Sequence, residues 1–187
     1  MMAIRKVTRM GNPILRKVAR FLNPEEIPSE EIKRIIIDML DTMEDYGGIG
    51  IAAPQIGESV QIAIIHFDRK SSRYPNRGEL PLTIFINPKV TVLDSNEQSY
   101  WEGCLSVPDL RGRVTRPSKV SVDYLNIKGE PTKLVTEGFL ATVMQHELDH
   151  LQGILYIDKV KNTHELAFNA EYDKFALGDE DSEELGE

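Results

Sequence analysis

Residues 145–150 read QHELDH, a stretch that combines a helical pattern with side chains that bind metal ions. His146 and His150 are four positions apart, so on a helix their imidazoles lie one turn apart and can reach the same ion. At about 100° per residue, Glu147 falls inside the apolar stripe of this helix, and Asp149 falls on the opposite side and is a poor ligand candidate. A buried glutamate beside two histidines is costly unless these groups have partners. The stretch therefore predicts a metal-binding helix inside the fold.

Two helices frame the rest of the pattern. The QHELDH helix is predicted to start near Thr136 and to run to Gly153, and apolar residues at helical spacing predict another helix over residues 29–46. Runs of β-branched residues and alternating positions predict strands over residues 60–67, 82–87, 89–93 and around 120–124. Asn87-Pro88 is expected to separate two of these strands, residues 128–131 to form a hairpin turn, and residues 69–81 to form an exposed loop.

This order of elements favours an α+β fold, in which antiparallel strands of a compact single domain pack around the metal-binding helix. A chain of 187 residues fits one domain. We expect that domain over residues 1–165 and a C-terminal extension over residues 166–187, whose acidic end we expect to be disordered.

The formal charge of −8 is concentrated at one end of the chain. Six of the last ten residues are acidic and none is basic, which leaves −2 for the remainder. A nearly neutral body without a basic patch predicts no direct nucleic-acid binding. The sequence has no apolar run of about 18 residues and no export signal, so we expect no membrane contact and a cytoplasmic location.

Cys104 is the most economical third metal ligand. It lies in WEGCLSVP (101–108), where Gly103 and Pro108 indicate irregular backbone from which a thiolate can project towards the helix. A Cys-His-His set with one water is the open arrangement of a catalytic site, whereas a structural site would have a fourth protein ligand. The alternatives are a small buried cysteine and a histidine pair satisfied in the core. His66 and His164 have no companion at metal-binding spacing.

The glycine-rich stretch GIGIAAPQIG (48–57) is not typical of a phosphate-binding loop. No strand is predicted before it, no Lys-Ser/Thr follows it, and Pro54 interrupts any helix that would supply a positive N-terminus. It predicts instead a loop packed so closely against the site that side chains are excluded. Gln55 is then its polar group, and a side-chain amide donor beside an activated water suits stabilisation of an oxyanion.

In this order and at these separations, GIGIAAPQ, EGCLS and QHELDH resemble the three signature segments of peptide deformylase. The resemblance covers residues 4 to about 160, because GNPILRKVA (11–19), RGRV (111–114) and HLQGILYID (150–158) also fit it. It implies a hydrolase that removes the formyl group from N-formylmethionyl nascent peptides and releases formate. Three linked motifs are far more specific than one.

The resemblance also implies roles for individual residues. Cys104, His146 and His150 would bind one divalent metal ion per chain, expected to be Fe(II), and the soft sulfur ligand would also accept Zn(II), Ni(II) or Co(II). A metal-bound water would attack the formyl carbon, with Glu147 as general acid/base and with Gln55 and the backbone N–H of Leu105 stabilising the oxyanion. The expected substrate-binding residues are Ile49, Gly50, Gly103, Arg111 and Val143.

Two features depart from the family pattern. Thr142 occupies a position where many relatives have an apolar residue near the methionine pocket. Its helix angle favours a side chain that turns away, and the alternative is a side chain that faces the pocket and softens methionine selectivity. The C-terminal segment 162–187 ends in acidic residues, whereas some relatives carry a basic terminal helix that docks on the ribosome. Because ribosomal RNA repels such a tail, we predict weak or absent docking through this end and only transient proximity to the ribosome.

Two other functions use parts of the same pattern. A metallopeptidase would use the same helix, but it needs a third ligand downstream, and His164 and Glu165 belong to no recognisable motif. A catalytically silent, metal-stabilised protein would not need Glu147 or Gln55, and both are present.

Overall fold

The computed structural model describes residues 4–67 and 79–175, in which six strands form one antiparallel sheet with three α-helices packed around it. The strands are β1 (Gly50–Ala52), β2 (Ile62–Phe67), β3 (Leu80–Cys104), β4 (Val107–Leu125), β5 (Pro131–Glu137) and β6 (Leu166–Phe168). The helices are α1 (Glu30–Asp45), α2 (Phe139–His150) and α3 (Asn169–Lys174). Strands β1 to β5 lie in sequence order, and β6 pairs with β4. The α+β prediction is confirmed.

Helix α1 forms where the sequence predicts it, because both ends carry clear signals. The hydroxyl of Ser29 accepts a hydrogen bond from the N–H of Ile32 at 3.3 Å, and two glutamates occupy the first turn. Past the last turn, Gly47 has a φ of 62°, a conformation that glycine adopts readily.

Strand β2 is apolar on both faces because α1 and α2 pack on opposite sides of it. Ile62 and Ile64 belong to the core cluster that contains the buried face of α1. Ala63 and Ile65 belong to the cluster that contains α2. Since successive side chains of a strand point to opposite faces, this alternation places one helix on each side. Helix α2 also contacts β1, β3, β4 and β5, so strands pack around this helix as predicted.

The prediction that Asn87-Pro88 separates two strands is wrong, because β3 continues through it. The ladder between β3 and β4 shifts register between Ile86 and Lys89, and Asn87 has a φ of 49°. The Asn87 side chain also accepts from the N–H of Leu22 at 2.9 Å and donates to the Leu22 carbonyl at 2.7 Å. Asn87 and Pro88 thus form an irregularity inside one long strand, and the Asn87 side chain binds the N-terminal segment at Leu22.

The predicted boundaries of the second helix are also wrong. Thr136 belongs to β5, Gly138 with a φ of 63° separates strand from helix, and α2 ends at His150 before the turn that reaches Gly153. The hairpin turn at 128–131 is confirmed between β4 and β5, although Pro131 already belongs to β5.

Two sequence predictions fall largely outside the described residues. Residues 69–78 of the expected loop lie outside the residues that the structure describes. The remaining part of the expected loop differs from the prediction, because Leu80 and Pro81 already belong to β3. The acidic tail is outside as well. Residues 166–175, assigned to an extension, pair with and pack on β4 in the structure. Within residues 4–67 and 79–175, no helix combines the length and apolarity needed to cross a membrane.

Candidate active site

The three predicted metal ligands meet where the end of β3 faces α2. Cys104 is the last residue of β3, and His146 and His150 project from α2. Their ligand atoms all lie within 4.8 Å of one another, and the Cys104 Sγ is 3.3 Å from His150 Nε2. Bonds of about 2.0–2.3 Å to a single tetrahedral ion bring such atoms to comparable separations. The group therefore fits one transition-metal ion.

Glu102 orients one of these histidines, and the sequence reasoning missed it. Its Oε2 lies 2.7 Å from His146 Nδ1, while Arg116 donates two hydrogen bonds to its carboxylate at 2.6 and 2.9 Å. Burial by itself would raise the pKa of Glu102, but the hydrogen bonds from Arg116 and His146 outweigh it and lower that pKa. A carboxylate on the Nδ1 side leaves Nε2 as the metal-facing atom, which is the usual arrangement of a ligating histidine.

Asp149 completes this buried network rather than joining the ligands. It accepts a hydrogen bond from Arg116 at 2.7 Å and lies 3.4 Å from the ammonium group of Lys159. The sequence prediction that the Asp149 side chain points away from the metal site therefore agrees with the structure. Glu102 stands two positions before Cys104 and could have been found from that spacing, whereas Arg116 gave no comparable signal in the sequence.

The Cys104 thiol is held in a setting that favours its ionised form. Burial alone would raise its pKa, but the positive charge of His150 and a hydrogen bond from His146 lower the pKa well below its ordinary value. The N–H of Ser106 also points at the sulfur from 3.4 Å. A thiolate is the form of cysteine that binds metal ions.

Glu147 is buried against the backbone of Gly50. Its side chain is among the buried charged groups at 6% exposure, and its Oε2 has no hydrogen-bond partner within the described part of the chain. Burial raises the pKa of Glu147. A Cβ atom built on Gly50 would lie 2.6 Å from three side-chain atoms of Glu147. The sequence predicts that the site excludes a side chain at residue 50. The structure explains this exclusion, because the Glu147 carboxylate lies where that side chain would be.

The segment that contains Gln55 forms a short strand and a 3₁₀ turn, not the loop expected from its glycines. Residues 50–52 are β1, and Gln55 lies in the turn Ala53–Ile56. Its Oε1 accepts from the N–H of Ala52 at 2.8 Å, which turns Nε2 towards Cys104 Sγ at 3.6 Å and Ser106 Oγ at 3.3 Å. An amide donor is thus fixed beside the ligand cluster.

A cavity of about 280 Å³ opens onto this cluster. The sequence-predicted residues that line it are Ile49, Gly50, Gln55, Gly103, Cys104, Leu105, Arg111, Val143, His146 and Glu147. His150 lies behind them at 1% exposure. His66 and His164 are both exposed, on β2 and in the turn Thr163–Glu165, and neither belongs to the ligand group.

Thr142 lines the same cavity, which is the alternative that its helix angle did not favour. It is 2% exposed, and its hydroxyl accepts a hydrogen bond from Gln98 at 3.1 Å. The helical wheel failed because residues 141–148 of α2 are all buried, which leaves no solvent-facing side for Thr142 to occupy. Sequence reasoning also missed Asn169, which lines the cavity from α3.

Comparisons with known proteins agree with this geometry. The sequence model of the polypeptide deformylase family matches residues 4–165. The peptide deformylase of Leptospira biflexa is 40% identical over 172 residues, which cover 92% of this chain and 96% of that protein. The crystal structure of a class I type b peptide deformylase from Acinetobacter baumannii, bound to Met-Ala-Ser, has a TM-score of 0.81 at 37% identity and covers 86% of this chain and 100% of its own. A peptide deformylase from Synechococcus elongatus in complex with actinonin has a TM-score of 0.75 at 33% identity, covering 93% and 92%.

Proposed function

The chain belongs to the polypeptide deformylase family, and on this premise we propose that it removes the formyl group from N-formylmethionyl nascent peptides and releases formate. The observation that carries the proposal is the Cys-His-His cluster, beside which lie the Gln55 amide and the buried Glu147 carboxylate, whose Oε2 has no hydrogen-bond partner among the described residues. Amide hydrolysis needs an activated water, a proton carrier and an oxyanion donor, and this arrangement can supply all three.

Cys104, His146 and His150 would hold one divalent ion, which we propose to be Fe(II), with Zn(II), Ni(II) and Co(II) as possible replacements. One soft thiolate and two imidazoles are compatible with each of these metals. When bound, such an ion supplies Lewis-acid activation of water at neutral pH.

Glu147 is the proposed general acid/base. It accepts a proton from the attacking water and returns that proton to the amine that leaves the formyl carbon. Burial raises the pKa of Glu147 above its ordinary value, so this carboxylate takes up a proton more readily than an exposed glutamate. Its Oε2 has no hydrogen-bond partner in the part of the chain that the structure describes, so it can receive a proton from a group inside the cavity.

Gln55 and the backbone N–H of Leu105 are the proposed oxyanion donors. The Gln55 carboxamide is held by the N–H of Ala52, so its Nε2 needs no reorientation when charge develops on the formyl oxygen. Leu105 follows the proposed ligand Cys104 and lines the cavity. Donors fixed before the reaction stabilise the transition state more than donors that must turn.

Ile49, Gly50, Gly103, Arg111 and Val143 are the proposed contacts to the substrate, and all line the cavity. Strand β1 stands at the edge of the sheet beside them, so the main chain of an extended peptide can pair with it. The Acinetobacter baumannii relative is bound to Met-Ala-Ser in its crystal structure, which supports a peptide as the ligand. A formyl group has only hydrogen beyond its carbonyl, which suits a cavity where the Glu147 carboxylate packs directly on Gly50. Nascent peptides as substrates would place the enzyme in the cytoplasm near the ribosome.

The test is formate release from formyl-Met-Ala-Ser by protein purified without oxygen and loaded with Fe(II), because iron-thiolate centres oxidise readily. Glu147→Gln is the matched control, since it keeps the side-chain shape and removes the proton carrier. We expect release by the parent and a loss of at least about 100-fold in the variant, the usual contribution of a general acid/base. Equal metal content in both proteins makes the comparison valid. No release from folded, metal-loaded parent protein would refute the proposal.

A further inference from the structure

The C-terminal residues 166–175 lie beyond the stretch that the family model matches, yet Asn169 lines the cavity and Tyr172 contacts two other residues that line it. Strand β6 fixes them there, because Leu166, Ala167 and Phe168 pair with Gly112, Arg111 and Leu110 of β4. The packing is close. A Cβ atom on Gly112 would lie 2.7 Å from the side chain of Val160 and 2.9 Å from that of Leu166, so β6 packs directly on the backbone of β4 where residue 112 has no side chain.

Tyr172 of α3 holds Arg111 at the cavity. The Arg111 guanidinium carbon lies 4.8 Å from the centre of the Tyr172 ring, within cation–π range. The same ring packs edge-to-face on Trp101 with centroids 5.4 Å apart, and both Trp101 and Arg111 line the cavity. A flexible arginine side chain is thereby restricted by an aromatic residue from outside the family match.

Asn169 adds a polar group to the lining of the cavity. Its Oδ1 and the Nε of Arg111 are both buried, and neither has a hydrogen-bond partner within residues 4–67 and 79–175. Buried donors and acceptors without partners are unfavourable, so a ligand that supplies partners gains affinity. A guanidinium donor and an amide, after a small side-chain rotation, match the carbonyl and N–H of a peptide group.

We propose that residues 166–175 form part of the binding site for the peptide that follows the formylated residue. In this inference, which rests on the proposed function, Asn169 binds the peptide main chain directly and Tyr172 is a positioning residue for Arg111. The formyl group itself is assigned to Glu147 and Gln55, which lie beside the ligand cluster. The wall formed by Arg111, Trp101 and Asn169 contains none of the ligand atoms, so it is available to the rest of the peptide.

The experiment compares two substrates, formyl-Met-Ala-Ser and N-formylmethionine amide, which ends at the first residue. For Tyr172→Leu and Asn169→Ala we expect KM for the tripeptide to rise about tenfold, the scale of one lost contact of this kind, with kcat unchanged. KM for the short amide should stay as in the parent. Tyr172→Phe keeps the ring that contacts Arg111 and Trp101, so it should restore the parent KM.

Phe175→Ala is the control on the same segment, because Phe175 is exposed and outside the cavity lining. Affinity of Glu147→Gln protein for formyl-Met-Ala-Ser, with and without Tyr172→Leu or Asn169→Ala, gives a readout that does not need turnover. The inference would be overturned if neither substitution altered the KM and the affinity for the tripeptide, or if KM rose equally for both substrates. The proposed deformylase activity would stand in both cases. Parent protein that neither hydrolyses nor binds either peptide would overturn the proposed function and this inference together. If Tyr172→Leu does not fold, Asn169→Ala carries the same test.

Discussion

The missing side chain at residue 50 controls where the Glu147 carboxylate can sit. Gly50→Ala would put a Cβ atom 2.6 Å from the Cγ, Cδ and Oε1 atoms of Glu147, so the carboxylate must move. Because a displacement of about 1 Å in a catalytic group can lower the rate about 100-fold, we expect a loss of that size in kcat/KM. Gly50 does not have a positive φ, so the backbone tolerates alanine, and we expect Tm to change little. Steady-state kinetics and thermal unfolding measure the two effects separately.

A double variant separates this steric effect from any other. Once Glu147→Ala has removed the atoms that the new methyl group would meet, adding Gly50→Ala should lower kcat/KM hardly further. Residues in contact are expected to be non-additive in this way. Independent, additive losses, or a drop in Tm that parallels the loss of turnover, would contradict the argument.

At the scale of single elements, the sequence predicted best where local patterns and tertiary contacts agree. Helix α1 has a cap, an apolar stripe and a terminal glycine, and its bounds in the structure differ from the prediction by one residue at each end. The sequence indicates the three proposed ligands because the two histidines of α2 have the spacing that metal binding requires, and because the chain has one cysteine. These signals are local, so a single sequence contains them.

The errors arise where contacts distant in sequence decide the local structure. Asn87 interrupts no strand because its side chain is held by Leu22, 65 positions away. Thr142 lines the cavity although its helix angle points away from the apolar stripe, because tertiary contacts bury all of residues 141–148. Arg116 of β4 contacts Glu102 of β3, although the residue directly opposite Arg116 in the β3–β4 ladder is Gln98. Helical angles and turn propensities contain none of this information.

The turn Tyr156–Lys159 after α2 is joined to the N-terminal segment by an ion pair between Asp158 and Arg16. This turn carries Tyr156, whose ring stacks on His146 at a centroid distance of 6.0 Å and whose hydroxyl donates to the Leu110 carbonyl at 3.0 Å. Burial alone would raise the pKa of Asp158, but the hydrogen bonds from Arg16 and the Leu155 N–H outweigh it and lower that pKa. The ion pair therefore supports the packing behind the ligand His146.

We expect Asp158→Asn to lower Tm at pH 7 and to matter less in acid. The folded-state pKa lies below the unfolded value of about 3.9, so this stabilisation is present above pH 4 and is lost as pH falls through the folded pKa. Water screens the half-exposed pair, so the effect should be at most about 1 kcal/mol, or roughly 2–4 °C. Thermal unfolding at pH 7 and pH 3 measures it. Glu30→Gln is the control, because it removes the more exposed ion pair with Lys33. If the Tm difference between Asp158→Asn and the parent is as large at pH 3 as at pH 7, ionised Asp158 is not its source.

At the scale of the whole molecule, the ligand cluster joins elements that are distant in sequence. Cys104 ends β3, whereas His146 and His150 lie on α2, and the segment β4–β5 connects the two. Cys104 also packs against the cluster of Leu15, Val107, Val114, Leu155 and Tyr156, while α2 packs in the cluster of β2 and β3. An ion held by these ligands would therefore cross-link two parts of the core.

Removal of the metal should consequently lower the stability of the entire domain. An ion that binds the folded but not the unfolded chain adds about 2.7 kcal/mol when its concentration is 100 times Kd, which corresponds to roughly 5–10 °C in Tm. Thermal unfolding without oxygen, with Fe(II) or Zn(II) and with a chelator, measures this difference. Cys104→Ser weakens a soft ligand and should lose most of the metal-dependent increase, whereas Glu147→Gln lies beside the cluster without being a proposed ligand and should keep it. Equal Tm values for loaded and chelated parent protein would show that the three side chains do not bind an ion in the folded state, and no role in water activation could then be assigned to them.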